Sequence, residues 1–260
     1  MATTMAVSAG ALVVMMLATW GLSLALRDVS IVDVAWGPGF VLVAWIAVAT
    51  GDGDASRSVL MAVLTTVWGI RLAVYITRRK LRERGEDYRY AALRERHPER
   101  FWLVSLGTVF LLQGVLIWIV SLPLQAAAAQ DDPLGALDAV GVGFWAVGVF
   151  FEAVGDAQLA GFKADPANRG RVMDRGLWRY TRHPNYFGDF MVWWGLYLMA
   201  LSTGGAWWTV VSPLVMSVLL LRVSGKDRLE RGMEERRPGY RDYVARTSGF
   251  VPLPPRGSSR

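Results

Sequence analysis

The sequence predicts an all-α membrane protein, a seven-transmembrane-helix bundle with basic cytoplasmic loops and a short amphipathic C-terminal tail. Three observations carry this prediction. Of the 260 residues, 53% are hydrophobic, more than a soluble domain of ordinary composition holds. The apolar residues come in long runs that nearly exclude charge, rather than at the spacing of an amphipathic helix or strand. The Lys and Arg residues concentrate in alternate loops between those runs.

A spanning helix needs about 20 mostly apolar residues. Seven runs approach this: Ala6–Leu26, Ile31–Thr50, Val59–Thr77, Leu103–Leu122, Leu137–Val154, Tyr186–Leu201 and Ala206–Leu221. The first run has no basic residue before it and no small-residue cleavage site ahead of Arg27, so it reads as a retained helix rather than a cleaved signal. The last two runs are short and separated by Ser202-Thr203-Gly204-Gly205, which predicts a helical hairpin. Continuous apolar runs exclude a transmembrane barrel, whose strands alternate. The runs extend from end to end, so one polytopic domain over residues 1–260 is expected.

Loop charge predicts the orientation. Gly51–Ser58 and Gln125–Gly135 are acidic or nearly uncharged, whereas Thr77–Arg100, Phe162–Arg182 and the tail after Leu221 are rich in Arg. The positive-inside rule places the basic loops and the C-terminus in the cytoplasm and, with seven spans, the N-terminus outside. A bacterial inner membrane fits. The net charge of +6 is thereby explained by topology and anionic headgroups, and nucleic acid is not expected as a partner. Lys226–Arg246 reads as an amphipathic cytoplasmic helix, and Val251-Pro252-Leu253-Pro254-Pro255 as an extended end.

Polar residues at membrane depth are the candidates for function. Asp33 opens the second run, either as an interfacial residue capping the helix start or as a carboxylate facing a cavity. Arg71 lies within the third run, where it either snorkels or pairs with Asp33 or Glu152. Glu152 and Asp156 share a helix face at i, i+4, and Lys163 follows them. That arrangement suits ribose hydroxyls or an amide, and equally an ion-pair cluster. Gln113 is a mid-membrane amide, fit for an interhelical hydrogen bond or a ligand. The densest chemistry is Asp174–Asp189, which holds Arg179, Arg182, His183, Asn185 and Asp189 at the mouth of the sixth run. Arg forks suit phosphate, and Pro184 marks the start of a helix whose N-terminus favours anions. Arg222, ending the seventh run, is a further phosphate contact by this reasoning. With no Cys and only His97 and His183 as imidazoles, a metal site is not expected. Walker, dinucleotide-fingerprint and nucleophile-elbow motifs are also missing.

Leu177–Asp189, together with Glu152–Lys163, Ser30–Trp36 and Tyr240–Pro252, resembles the bacterial branch of the steroid 5α-reductase-like membrane proteins over nearly the whole chain. The resemblance implies a seven-helix bundle that takes NADPH from the cytoplasmic side and reduces a carbon–carbon double bond conjugated to a carbonyl in a lipid or steroid-like substrate. Carried over by position, Glu152, Asp156, Lys163, Asn185, Asp189 and Arg222 line the cofactor. Arg179, Arg182 and His183 join them from the same segment. One departure concerns catalysis. The steroid reductases hold the substrate carbonyl with a Tyr on the third helix, paired with a Glu on the second, and that Tyr position is Trp68 here. An indole N–H donates a hydrogen bond but is no acid, which leaves Asp33 as the acidic partner and Tyr75 as a substitute phenol.

Arg182-His-Pro-Asn-Tyr-Phe-Gly188 is also similar to a segment of the isoprenylcysteine carboxyl methyltransferases. The alternative is therefore an S-adenosylmethionine-dependent membrane methyltransferase on a related fold. A non-enzymatic lipid-binding scaffold is the third reading.

Overall fold

The computed structural model describes residues 1–82, 85–223, 233 and 237–256. Among them the secondary structure is helical apart from one isolated bridge between Thr181 and Ser248. The helices are α1 (Ala2–Leu26), α2 (Val32–Thr50), α3 (Ala55–Arg82), α4 (Tyr88–Arg96), α5 (Phe101–Val120), α6 (Leu122–Ala127), α7 (Ala136–Ala164), α8 (Pro184–Leu201), α9 (Trp207–Arg222) and α10 (Tyr240–Arg246). The chain forms two compact units, Met1–Asp138 with Met199–Ser212, and Ala139–Leu198 with Pro213–Arg260.

Among the described residues five helices are long and apolar enough to cross a membrane: α1, Val29–Thr50, α3, α5 and α7. Seven spans were expected, two more than length and apolarity mark among the described residues. The sixth expected run forms α8, whose first two turns carry Asn185 and Asp189 and dilute its apolarity. The seventh forms α9, which falls short on length. The first, third and fifth spans outrun their apolar stretches. α3 continues to Arg82, where Arg79, Lys80 and Arg82 complement the negative end of the helix dipole. The stretch from Thr77 to Arg100 is thus largely helix, through the end of α3 and α4, rather than loop. Hydropathy marks where lipid-compatible sequence ends, and helical hydrogen bonding does not stop there. Most of the expected tail helix Lys226–Arg246 lies outside the described residues, and its end is α10.

In the first unit α2 and α3 cross on glycine. A Cβ built on Gly37 would lie 2.3 Å from the Gly69 carbonyl oxygen, and one on Gly69 would lie 2.8 Å from that of Gly37. Small residues let membrane helices approach until their backbones touch. Around this crossing the fully buried Phe40, Met61, Trp68 and Ile117 form the core. At the other end of α3, Arg57 is 1% exposed and forks onto Asp138, 2.9 Å from Nε to Oδ1 and 3.1 Å from Nη2 to Oδ2. Its remaining donors meet the carbonyls of Asp132 and Pro133, both at 2.8 Å.

In the second unit α7 and α8 pack on a similar contact. A Cβ on Gly188 would lie 2.5 Å from the Gly148 carbonyl oxygen and 2.7 Å from Glu152 Cγ. The C-terminal segment docks on the chain before α8: Thr181 Oγ1 donates to the Phe250 carbonyl at 2.7 Å, and Tyr243 Oη donates to that of Trp178 at 2.6 Å. The Phe250 ring meets the edges of Phe187 and Phe190.

Candidate functional site

The second unit gathers most of the polar residues singled out in the sequence. Glu152 and Asp156, one helical turn apart on α7, are 3% and 4% exposed. Burying two carboxylates on one helix face is costly unless they meet donors. For Asp156 one donor is Asn185, whose Nδ2 lies 3.3 Å from Oδ1. Glu152 is held beside α8 by the Gly188 contact, so α7 and α8 bring the acidic pair and the Asn185 turn together. Asp189 lies one turn beyond Asn185 and is half-buried. His183 is buried and stacks on Tyr186, with ring centroids 5.5 Å apart and planes 5° apart.

The loop before α8 is anchored to α7 by side chains the sequence reading did not single out. Trp178 Nε1 donates to the Gly155 carbonyl at 3.0 Å, and Gln158 Oε1 accepts from the Leu177 backbone N–H at 2.9 Å. Arg182 Nη1 donates to the carbonyls of Val244 (3.2 Å) and Thr247 (2.9 Å) at the C-terminal end of α10. There a cation also offsets the helix dipole. Lys163, Arg179 and Arg222 are exposed, and neither the Arg179 nor the Arg222 side chain hydrogen-bonds to a described residue.

The first unit holds Asp33, Trp68 and Tyr75. Asp33 sits in the first turn of α2, and its carboxylate accepts from Tyr90 Oη at 2.7 Å and Arg89 Nη2 at 3.0 Å. These two residues of α4 are its partners, rather than Arg71. Trp68 is fully buried and meets Phe40 edge-on, with centroids 5.6 Å apart. Phe40 is seven residues beyond Asp33, about 10 Å along the helix. Trp68 thus packs in the core while Asp33 is engaged at the start of α2. Tyr75 is half-buried, two turns along α3 from Trp68.

A wider network surrounds Asp33. Asp28 accepts from Ser30 and pairs with Lys80. Glu86 accepts from the Val29 backbone N–H and from Arg94, which lies 4.0 Å from the Phe101 ring centroid. Asp87 caps α4 and accepts both arms of Arg89. Burial pushes the Tyr90 hydroxyl above its ordinary pKa, and the Asp33 charge and hydrogen bond push the same way. Burial acts against the Asp87 charge, but the Arg89 side chain and backbone N–H outweigh it and hold the carboxyl below its usual range. Tyr90 and Arg89 carry no signal in hydropathy, since they lie in a basic stretch read as loop.

The apolar helices and the polar side chains set along them define a polytopic helical membrane protein. A protein family described only as of unknown function, DUF1295, matches residues 19–247, and the chain belongs to it. That family is generally linked to the steroid-reductase-like polytopic membrane superfamily. The chain is 27% identical over 263 residues to the uncharacterized protein C594.04c of Schizosaccharomyces pombe, a match covering 90% of this chain and 75% of the relative. No solved structure matches.

Proposed function

We propose that the protein is an NADPH-dependent membrane reductase acting on a double bond conjugated to a carbonyl in a lipid or steroid-like substrate. The observation that carries the reading is the buried pair Glu152 and Asp156 facing the Asn185 turn, in a chain of this family. The donor set fits the cofactor. Two buried carboxylates accept from ribose hydroxyls or a carboxamide, the Asn185 amide offers both donor and acceptor, and exposed Arg179 and Arg222 suit phosphates. When bound, NADPH supplies the hydride.

The chain's own residues would do the rest. Charge develops on the substrate carbonyl oxygen, and a donor aimed at that oxygen stabilises it. Asp33, Trp68 and Tyr75 are the candidates in the first unit. Trp68 contributes only a neutral N–H, whereas Tyr75 has a transferable proton. Apolar surroundings strengthen the interaction and keep water from the intermediate. The reading includes seven crossings, with α8 and α9 completing the five long spans, the C-terminus in the cytoplasm and the N-terminus outside.

The test is binding of NADPH and, separately, S-adenosylmethionine to the detergent-purified protein, followed by quenching of Trp fluorescence. Saturable NADPH binding that weakens roughly 3–10-fold in Asn185→Ala, the loss of one hydrogen bond, supports the reading. Binding of S-adenosylmethionine alone assigns the site to methyl transfer, and binding of neither excludes both enzymes.

A further inference from the structure

The second unit contains a crevice of about 630 Å³ between the end of α7, the loop that follows it and the start of α10. None of the expected cofactor residues lines it. Among the described residues its charged lining consists of Arg169, Arg171, Arg175 and Arg246 with Asp174 and Asp242. Arg246 is spent on Asp174 in an ion pair. Arg169, Arg171 and Arg175 are exposed and pair with no carboxylate among the described residues. Three guanidinium groups around one cavity repel each other unless an anion sits among them.

The walls are tied in place. Asn168 Nδ2 donates to the Phe162 carbonyl at 3.1 Å, which folds the loop back on α7. Arg237 Nη1 donates to the Arg171 carbonyl at 2.9 Å, and the Arg246–Asp174 pair makes a second link to the C-terminal segment. The Arg171 side chain is therefore presented from a backbone held at both ends.

We propose that this crevice binds a phosphomonoester. The lining carries two more positive than negative charges, which matches a phosphomonoester near neutral pH, at about −1.5 to −2, better than a singly charged phosphodiester. Guanidinium forks bind such oxygens bidentately. The volume falls within the range of small-molecule sites, about 300–1,000 Å³, and exceeds what a bare phosphate fills. Phe162, Val172 and Pro238 supply an apolar wall for the group that bears the phosphate. Two sources share this chemistry: a nucleotide with a terminal or 2′-phosphate, and a lipid whose headgroup is a phosphomonoester.

The experiment uses the full chain in neutral phosphatidylcholine nanodiscs. One arm titrates adenosine 2′-monophosphate calorimetrically, with adenosine as control. The other compares Trp fluorescence in nanodiscs with and without phosphatidic acid. Wild-type protein responds in at least one arm, and the arm that responds identifies the source. Arg171→Ala with Arg175→Ala weakens that response at least about tenfold, since two charged hydrogen-bond partners are lost. The corresponding double Lys variant, which keeps charge without forks, falls between. Because these side chains are exposed, the variants keep the wild-type melting temperature. Asn185→Ala leaves the response intact, so failure here is separable from failure of the reductase reading. No response in either arm, or a response unchanged in the double Ala variant, overturns the proposal.

Discussion

Tyr90 Oη donates a 2.7 Å hydrogen bond to Asp33 Oδ1, and through it the short helix α4 is fastened to the first turn of α2. Arg89 from the same helix takes the other carboxylate oxygen. An acidic residue at the edge of an apolar run is thereby satisfied by residues more than fifty positions away.

Tyr90→Phe removes the hydroxyl and leaves Asp33 with Arg89 alone. The expected cost is about 1.5–3 kcal/mol, the range for a hydrogen bond to a charged group. The variant also tests a pH dependence. The folded-state pKa of Tyr90 is raised, so its contribution is complete below the unfolded value of about 10 and is lost as pH rises beyond it. Wild-type melting temperature should therefore fall more steeply than that of Tyr90→Phe between about pH 9 and 11. Parallel profiles would mean that the hydroxyl is not held by Asp33.

Asp87 acts in the opposite direction. Its folded-state pKa is depressed, so its contribution is present above the unfolded value of about 3.9 and fades as pH falls. Asp87→Asn keeps a capping side chain at the start of α4 but removes the charge that Arg89 grips. It should flatten the loss of stability below about pH 4, whereas Asp87→Ala should cost about 1 kcal/mol more at neutral pH by removing the cap. Thermal unfolding across pH in detergent separates the two.

The Arg57–Asp138 pair is buried and has four hydrogen bonds to the guanidinium. Asp138 Oδ2 also accepts from Ser202 Oγ and the Gly135 backbone N–H, each at 2.8 Å. Arg57→Met leaves a buried carboxylate with fewer donors, and breaking such a pair costs about 3–5 kcal/mol. Arg57→Met combined with Asp138→Leu should cost less than Arg57→Met alone, because no charge is left uncompensated. A double variant no more stable than Arg57→Met would show that the pair itself holds the fold.

Gly188→Ala places a methyl group where the Gly148 carbonyl and the Glu152 backbone stand. The helices have to part, at a cost of about 1–3 kcal/mol or more for overpacking. The shift moves Glu152 relative to Asn185, so NADPH affinity should fall further in Gly188→Ala than in Gly195→Ala. Equal affinities in the two variants would remove Glu152 from the binding site.

Much of the helical organisation was legible because lipid solvates backbone poorly and forces long apolar helices. The α7 pair and the start of α8 were legible for a related reason: Glu152, Asp156, Asn185 and Asp189 stand out wherever polar groups are expensive. Arg89 and Tyr90 were not legible, because in a stretch dense with Arg nothing local distinguishes a residue that reaches Asp33 from one that faces water. Arg57 escaped for the same reason, lying in the loop Gly51–Ser58, and Asp138 was passed over as the second residue of the fifth expected run. The expected count of seven includes a polar-headed helix, α8, and a short one, α9, that length and apolarity alone do not mark as spans.

The sequence alone determined the solvent, the helical class and the concentration of basic charge in alternate loops, since hydropathy, backbone satisfaction and loop charge are properties of the chain read in order. It also marked Glu152, Asp156, Asn185 and Asp189 as polar residues set among apolar ones. Tertiary structure alone decided which carboxylate meets which donor: Asp33 with Tyr90, Asp138 with Arg57, Asp156 with Asn185. It also turned Arg182 toward α10 and left Arg171 and Arg175 open around a crevice. Those outcomes depend on helix crossings a few ångströms wide, set by glycines such as Gly37 and Gly188, and hydrogen bonds fail over shifts of that size.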